Sequence, residues 1–198
     1  MNRFYVRFVK PSADFVFSLL AILALSPFLL LTAAIIKLGS PGPVLFCQER
    51  IGKDRKRFTM YKFRTMRSDA PADVPTHLLE NPESHITPIG RFLRKSSLDE
   101  LPQLINVLKG DMSVVGPRPA LYNQYDLEAE RERHGANSLK PGITGWAQVM
   151  GRDELPIPVK AGLDGEYRHR VSPGFDLKII FLTVFAVFGA KGVREGKS

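Results

Sequence analysis

Phe15-Val-Phe-Ser-Leu-Leu-Ala-Ile-Leu-Ala-Leu-Ser26-Pro27-Phe-Leu-Leu-Leu-Thr-Ala-Ala-Ile-Ile36 is a run of 22 residues without a charge, in a chain of 198. It is longer than an ordinary core helix needs and long enough to cross a bilayer. It does not read as a signal peptide, because its apolar stretch is too long and no small-residue cleavage site follows before the basic region. Two features argue against a simple span. Ser26-Pro27 falls in the middle of the run, where proline removes a backbone hydrogen bond and a serine hydroxyl can cover the freed carbonyl. Both flanks are also basic, with Arg3, Arg7 and Lys10 before and Lys37 after. Basic flanks favour the cytoplasm, so a straight span sends one set across. A helix that enters, turns at Ser26-Pro27 and leaves by the same face satisfies both flanks; a proline-kinked span is the alternative. Ser12 or Asp14 is placed to cap the entry.

A second uncharged stretch, Ile179 to Ala190, is 12 residues long and too short to span. With Phe175, Phe181, Phe185 and Phe188 it suits either a core helix or an amphipathic helix in the membrane interface, and the second is favoured here.

The net charge of +8 is concentrated. Eight cations and one anion lie between Arg50 and Arg67, a surplus of +7. Such a run suits nucleic acid, anionic lipid or phosphorylated small molecules, or is a solvated loop. Cys47 is the single cysteine, which excludes an internal disulfide and a cysteine zinc site. His77, His85, His134 and His169 are scattered without metal-ligand spacing. There is no internal repeat, Walker loop or dinucleotide fingerprint.

Short strands are expected at Val44 to Cys47 and Phe58 to Phe63, with a hairpin around Gly52-Lys-Asp-Arg55. Residues 68 to 90, with four prolines, read as a loop. Leu101 to Leu108 reads as a short helix stopped at Lys109-Gly110. Val114 to Pro119 is extended and leads into a rigid turn that pins Arg118 between prolines. Leu121 to His134 reads as an exposed helix whose Glu128, Glu130, Arg131, Glu132 and Arg133 form a solvated face. Pro141 to Val149 is a turn and a short apolar segment.

Asp99 and Glu100 stand side by side in Lys95-Ser-Ser-Leu-Asp-Glu-Leu-Pro102, after Arg91, Arg94 and Lys95. Paired carboxylates beside a basic cluster suit phosphate chemistry, where cations hold the phosphates and a carboxylate attacks or holds a metal. A structural reading competes: Ser97-x-x-Glu100 before an apolar run is a capping-box pattern. Pro102 sits badly with that, since it falls past the first helical turn.

In order along the chain, Ser26-Pro27, Tyr61-Lys-Phe-Arg-Thr-Met66, Ser97-Leu-Asp-Glu-Leu-Pro102, Asn106-Val-Leu-Lys-Gly-Asp-Met-Ser113, Gly116-Pro-Arg-Pro119 and Pro141-Gly-Ile-Thr-Gly-Trp-Ala-Gln148 resemble the monotopic phosphoglycosyl transferases, the bacterial sugar transferase family. The resemblance covers most of the chain and is closer to the family's minimal enzymes than to larger relatives with a multi-span N-terminal extension.

It implies an α+β, mainly α, monotopic membrane enzyme. Residues 1–39 would be a re-entrant helix hairpin broken at Ser26-Pro27. Residues 40–198 would be a small cytosolic catalytic domain, with interfacial amphipathic helices and a C-terminal interface helix at about 175–190. The implied reaction moves a sugar-1-phosphate from a UDP-sugar to polyprenol (undecaprenyl) phosphate, releasing UMP, as the first membrane step of glycoconjugate biosynthesis. Its setting would be the cytoplasmic face of the bacterial inner membrane, with both termini cytoplasmic and no nucleic acid partner.

By the same resemblance Asp99 is the nucleophile that carries the phosphosugar, Glu100 is its partner in the lipid's attack, and Mg2+ is required, with Asp99 a candidate ligand. Arg94, Arg118 and Arg152 are candidates for phosphate contacts. Lys62, Arg64 and Asp164 are further substrate-binding candidates, Asp164 toward metal or nucleotide. The chain departs from the family pattern at Met150, where asparagine is usual, and at Gly165 and Glu166, where apolar or aromatic residues are preferred.

Overall fold

In the computed structural model, residues 3–68, 70, 82–151 and 155–188 are described. The apolar run lies within a single helix. A π-helical turn, Tyr5–Val9, leads directly into helix α1, Lys10–Gly39. Together they make 35 residues, the one helix among those described that is long and apolar enough to cross a membrane. Neither Ser12 nor Asp14 caps its start, because the helix already runs in from upstream. The Ser12 hydroxyl instead donates to Phe8 O at 2.9 Å. Pro27 lies inside α1. It cannot donate to Leu23 O, and Ser26 Oγ donates to that carbonyl at 2.9 Å. The Ser-Pro pair therefore carries its own repair of the missing bond.

Both ends of α1 are fastened to the rest of the chain. At its start, Tyr5 Oη and Lys10 Nζ each donate to Asp176 Oδ2 at 2.7 Å, and Ser113 Oγ donates to Asp14 Oδ2 at 2.5 Å. At its end, Ile36 is buried with Phe63 and Leu93. Between these anchorages Leu19, Leu20, Leu23, Leu30 and Leu31 are exposed.

The expected hairpin forms. Strands β1 (Leu45–Ile51) and β2 (Arg57–Phe63) pair antiparallel, Leu45 opposite Phe63 and Ile51 opposite Arg57. They are joined by a 3-10 turn, Lys53–Arg55, whose Asp54 has a positive φ.

Of residues 68 to 90, read as a loop, residues 69 and 71–81 lie outside the described residues; the described part from residue 82 instead enters helices α2 (Pro82–His85) and α3 (Pro88–Lys95). Pro88 occupies the first turn of α3, where its missing N–H costs nothing, and Thr87 caps it by accepting from Gly90 N. Two of the four prolines that suggested a loop, Pro82 and Pro88, thus mark helix starts.

Helix α4 (Gln103–Lys109) stops as expected at Gly110, whose φ of 83° is the left-handed conformation glycine adopts freely. Strand β3 (Ser113–Val115) follows, then the two-residue β4 (Ala120–Leu121), which adds to β1 on the side away from β2. Helix α5 (Tyr125–Arg133) comes next, then β5 (Gly142–Thr144), parallel to β3. A Cβ on Gly142 would lie 2.1 Å from Gly116 N, so the close approach of these strands requires glycine. Helices α6 (Trp146–Met150), α7 (Ile157–Arg170) and α8 (Pro173–Phe188) complete the described chain.

Tyr5, Val115, Trp146, Tyr167, Phe175 and Ile179 form one buried cluster where the start of α1 meets α7 and α8. The outer side of α8 exposes Leu177, Phe181, Val184 and Phe185.

The face of α5 read as solvated is half wrong. Glu128 and Arg131 are both 5 % exposed, because each has a long-range charge partner: Arg55 for Glu128 and Asp164 for Arg131.

Candidate active site

Asp99 and Glu100 occupy a 3-10 turn, Leu98–Glu100, between α3 and α4. The capping-box reading fails. Ser97 is in the left-handed region at φ 57° and makes no side-chain cap bond, while Glu100 turns to other partners. Pro102 precedes α4 as its N-cap, which removes the conflict of a proline inside the helix. A serine in left-handed conformation is uncommon and costs energy that the surroundings must supply. Here it tightens the link between α3 and the dyad, with Ser97 N donating to Arg94 O at 3.1 Å and Glu100 N to Ser97 O at 3.2 Å.

The two carboxylates have different surroundings. Glu100 Oε1 accepts from Lys62 Nζ at 2.7 Å and from Arg118 Nη1 at 3.2 Å. Burial opposes its ionisation, but the two cations outweigh burial and hold its carboxyl down at about 2. Asp99 is 9 % exposed and has no hydrogen bond or ion pair among the described residues. Burial, with the Glu100 charge beside it, pushes its carboxyl up to about 6, against the pull of Lys62, Arg94 and Arg118. Two neighbouring carboxylates with acidities driven apart are the mark of a division of roles.

Lys62 reaches the dyad from β2, and Asn106 fixes that strand. Its side chain is fully buried. Asn106 Oδ1 accepts from Tyr61 N at 3.0 Å and its Nδ2 donates to Thr59 O at 2.7 Å, the bonds a neighbouring strand would make. Its backbone carbonyl also accepts from Asp111 N and Met112 N. Arg94, in the last turn of α3, is partly buried near Asp99 and has no side-chain hydrogen bond or ion pair among the described residues.

The structure thus brings Asp99, Glu100, Lys62, Arg94 and Arg118 together. It does not bring Arg64 or Asp164 to the dyad. Arg64 is 6 % exposed, and its guanidinium donates to Ser40 O and Ser40 Oγ at 2.8 Å and to Pro41 O, securing the exit of α1. Asp164 is 1 % exposed and accepts from Arg131 Nε at 2.8 Å. Arg152 lies outside the described residues. Of the basic run, Lys62 alone is bonded to the dyad among the described contacts; Arg55 pairs with Glu128 and Arg57 with Glu49.

Asn106 and Arg131 are the residues sequence reasoning missed. A polar residue interrupting the apolar stretch Leu104 to Leu108 was the available signal for Asn106. Arg131 gave none, embedded in a helix of alternating charge.

Two of the positions read as departures from the family pattern, Gly165 and Glu166, have local reasons. A Cβ on Gly165 would sit 2.7 Å from His134 Cβ, and Glu166 Oε2 accepts from Trp146 Nε1 at 2.9 Å. Met150 is exposed. A recess of about 530 Å³ beside His134 and Gly165 contains none of the dyad residues.

No group of three or more histidine, cysteine or acidic side chains suited to a metal occurs among the described residues. Magnesium does not need one: it is commonly held by one or two carboxylates, with water and substrate phosphate oxygens completing its shell. Asp99, buried and without a bonded partner among the described residues, fits that use. Glu100 already faces two cations.

The bacterial sugar transferase family model matches residues 5–190, and the chain belongs to that family. It is 45% identical over 192 residues to the UDP-glucose:undecaprenyl-phosphate glucose-1-phosphate transferase of Escherichia coli (strain K12), covering 92% of this chain and 40% of that protein. It is also 45% identical over 170 residues to the uncharacterized sugar transferase EpsL of Bacillus subtilis (strain 168), covering 86% of this chain and 82% of the relative. A third relative, the UDP-N-acetylgalactosamine-undecaprenyl-phosphate N-acetylgalactosaminephosphotransferase of Aeromonas hydrophila, is 37% identical over 94% of this chain and 45% of its own length. The chain thus spans less than half of the first and third relatives.

Proposed function

We propose that this protein transfers a sugar-1-phosphate from a UDP-sugar to undecaprenyl phosphate, giving the lipid diphosphosugar and UMP, at the first membrane step of glycoconjugate assembly. The observation that carries the reading is Asp99: a buried carboxylate with no bonded partner among the described residues, in the field of Lys62, Arg94 and Arg118. The printed activities of the Escherichia coli and Aeromonas relatives support the substrate classes.

Asp99 attacks the sugar-bearing phosphorus. The bond from that phosphorus to the bridging oxygen breaks, and UMP leaves with the electron pair. A phosphate oxygen of undecaprenyl phosphate then attacks the same phosphorus, and the Asp99 carboxylate departs unchanged. Lys62, Arg94 and Arg118 supply positive charge where the diphosphate would otherwise repel the attacking anion. Glu100, held near 2 by its two cations, is a weak base. Its bonds support instead a role in aiming Lys62 and Arg118 across the site. A magnesium ion at Asp99 would add charge neutralisation on the diphosphate oxygens.

The membrane setting rests on α1, α3 and α8. Both ends of α1 are tied to the same body, which supports a re-entrant path with both termini on the cytoplasmic side of the inner membrane. Phe92 on α3 and Phe181 on α8 are exposed apolar groups suited to an interface where a lipid phosphate arrives.

Detergent-solubilised protein given magnesium, undecaprenyl phosphate and a panel of UDP-sugars should release UMP with at least one donor. Asp99→Asn should lower that release by at least about 10³-fold, as loss of a nucleophile does. Release of UDP would mean transfer of the sugar alone and would overturn the reading. Full activity in Asp99→Asn would remove the covalent step.

A further inference from the structure

Three consecutive carbonyls of Pro117-Arg118-Pro119 each accept a hydrogen bond from a different part of the chain. Gly142 N donates to Pro117 O at 2.8 Å, Arg131 Nη2 to Arg118 O at 2.9 Å, and Arg50 Nη1 to Pro119 O at 3.1 Å. The middle bond concerns the residue whose side chain reaches Glu100.

Proline fixes its own φ and biases the residue before it toward extended conformations. The peptide joining Arg118 to Pro119 still needs an orientation, because it has no N–H and its carbonyl is its one hydrogen-bonding group. Arg131 holds that carbonyl. The direction in which the Arg118 side chain leaves the backbone depends on that peptide plane.

Arg131 is itself held firmly. It is 5 % exposed, with Nε donating to Asp164 Oδ2 at 2.8 Å and Nη2 lying 2.7 Å from the same oxygen. Buried ion pairs of this kind are weak contributors to stability, since apolar replacements often do as well. A pair that also fixes a backbone carbonyl behind a site residue has a geometric use that stability alone does not explain.

We propose that Arg131, oriented by Asp164, is a positioning residue that sets Arg118 toward Glu100 and the substrate phosphate. This rests on the reading of the dyad as a phosphosugar transfer site. It also gives Asp164 a different part from direct contact with metal or nucleotide: Asp164 acts through Arg131 and the Arg118 carbonyl. A guanidinium serves two acceptors at fixed angles, which a lysine ammonium on a flexible stem does not.

The test is a double-mutant cycle on UMP release, with thermal midpoints measured alongside. Arg131→Lys keeps the buried charge pair but loses the fork that reaches Arg118 O. It should lower kcat/KM about tenfold, the scale of one lost charge-assisted contact expressed in the transition state. In an Arg118→Ala background the same change should cause no further loss. An equal factor in both backgrounds would overturn the proposal, because a role in general folding does not depend on Arg118.

If Arg131→Lys lowers the midpoint strongly, Asp164→Asn carries the same cycle, since it keeps Arg131 and an acceptor oxygen. A loss that persists without Arg118 would place Asp164 on the substrate or metal directly and sink the positioning role. Wild-type protein that releases no UMP would overturn the phosphosugar reading itself and this proposal with it. Active wild type with additive losses removes the positioning role alone.

Discussion

At the scale of single residues, the site is organised by asymmetry. One carboxylate has two cations bonded to it; its neighbour, one position away, has none among the described residues. In the proposed covalent step Asp99 has to be ionised, and its carboxyl is raised to about 6. Donor kcat/KM should therefore fall as pH drops toward and below that value, because the neutral acid is a far weaker nucleophile than the carboxylate. The neighbours give the assignment a signed test. Lys62 is the strongest of the charges pulling Asp99 down, so Lys62→Met should move the acidic limb to higher pH. Glu100 pushes Asp99 up, so Glu100→Gln should move the limb to lower pH. Rate–pH profiles of the two variants at fixed magnesium check this. Shifts in the same direction would assign the limb to another group.

At the scale of elements, the joint between α4 and β2 matters most, because β2 carries Lys62 and the turn before α4 carries the dyad. Asn106 makes that joint by supplying both halves of an absent strand's hydrogen bonds. Asn106→Leu keeps the branched heavy-atom shape and leaves the part-buried Tyr61 N and Thr59 O without those partners. A fully stranded group costs about 1–3 kcal/mol, and for these two part-buried groups the low end applies, so the variant should lose about 2 kcal/mol in denaturant unfolding. A loss under about 1 kcal/mol would mean that water replaces the amide.

The same joint shows what was readable beforehand. The hairpin around Gly52 to Arg55 and the stop of α4 at Gly110 follow from local chemistry and were legible. Helix α7 was not, because its buried face is Ala161, Asp164, Gly165 and Tyr167, which carries no apolar period. Glu128 and Arg131 looked solvated because their partners lie 73 and 33 residues away, beyond any local pattern. The dyad was legible through its motif; the reason Arg64 leaves the site, its bonds to Ser40 and Pro41, was not.

At the scale of the whole molecule, the question is how a helix of 35 residues meets a bilayer. At about 1.5 Å per residue it would measure about 50 Å if straight, well beyond the hydrocarbon thickness of about 30 Å. A straight span holds one end of such a helix far from any domain on the other side. Here the start is bonded to Asp176 and Ser113, and the end is packed on Phe63 and Leu93. Asp176 also accepts from Tyr167 at 2.7 Å, so the first anchorage reaches into the core under β3. Detaching either end would leave buried charge or apolar surface without its partner. The proposed re-entrant path keeps both anchorages by placing the two ends on one side, with Ser26-Pro27, where Pro27 cannot donate, as the place for its turn. Single cysteines placed at Arg3 and Gly39, both exposed, in a Cys47→Ser background should react with a membrane-impermeant maleimide from the cytoplasmic side only. Labelling of position 3 from the periplasmic side, with position 39 still cytoplasmic, would mean that α1 spans the membrane, that its two anchorages do not coexist there, and that the re-entrant reading is wrong.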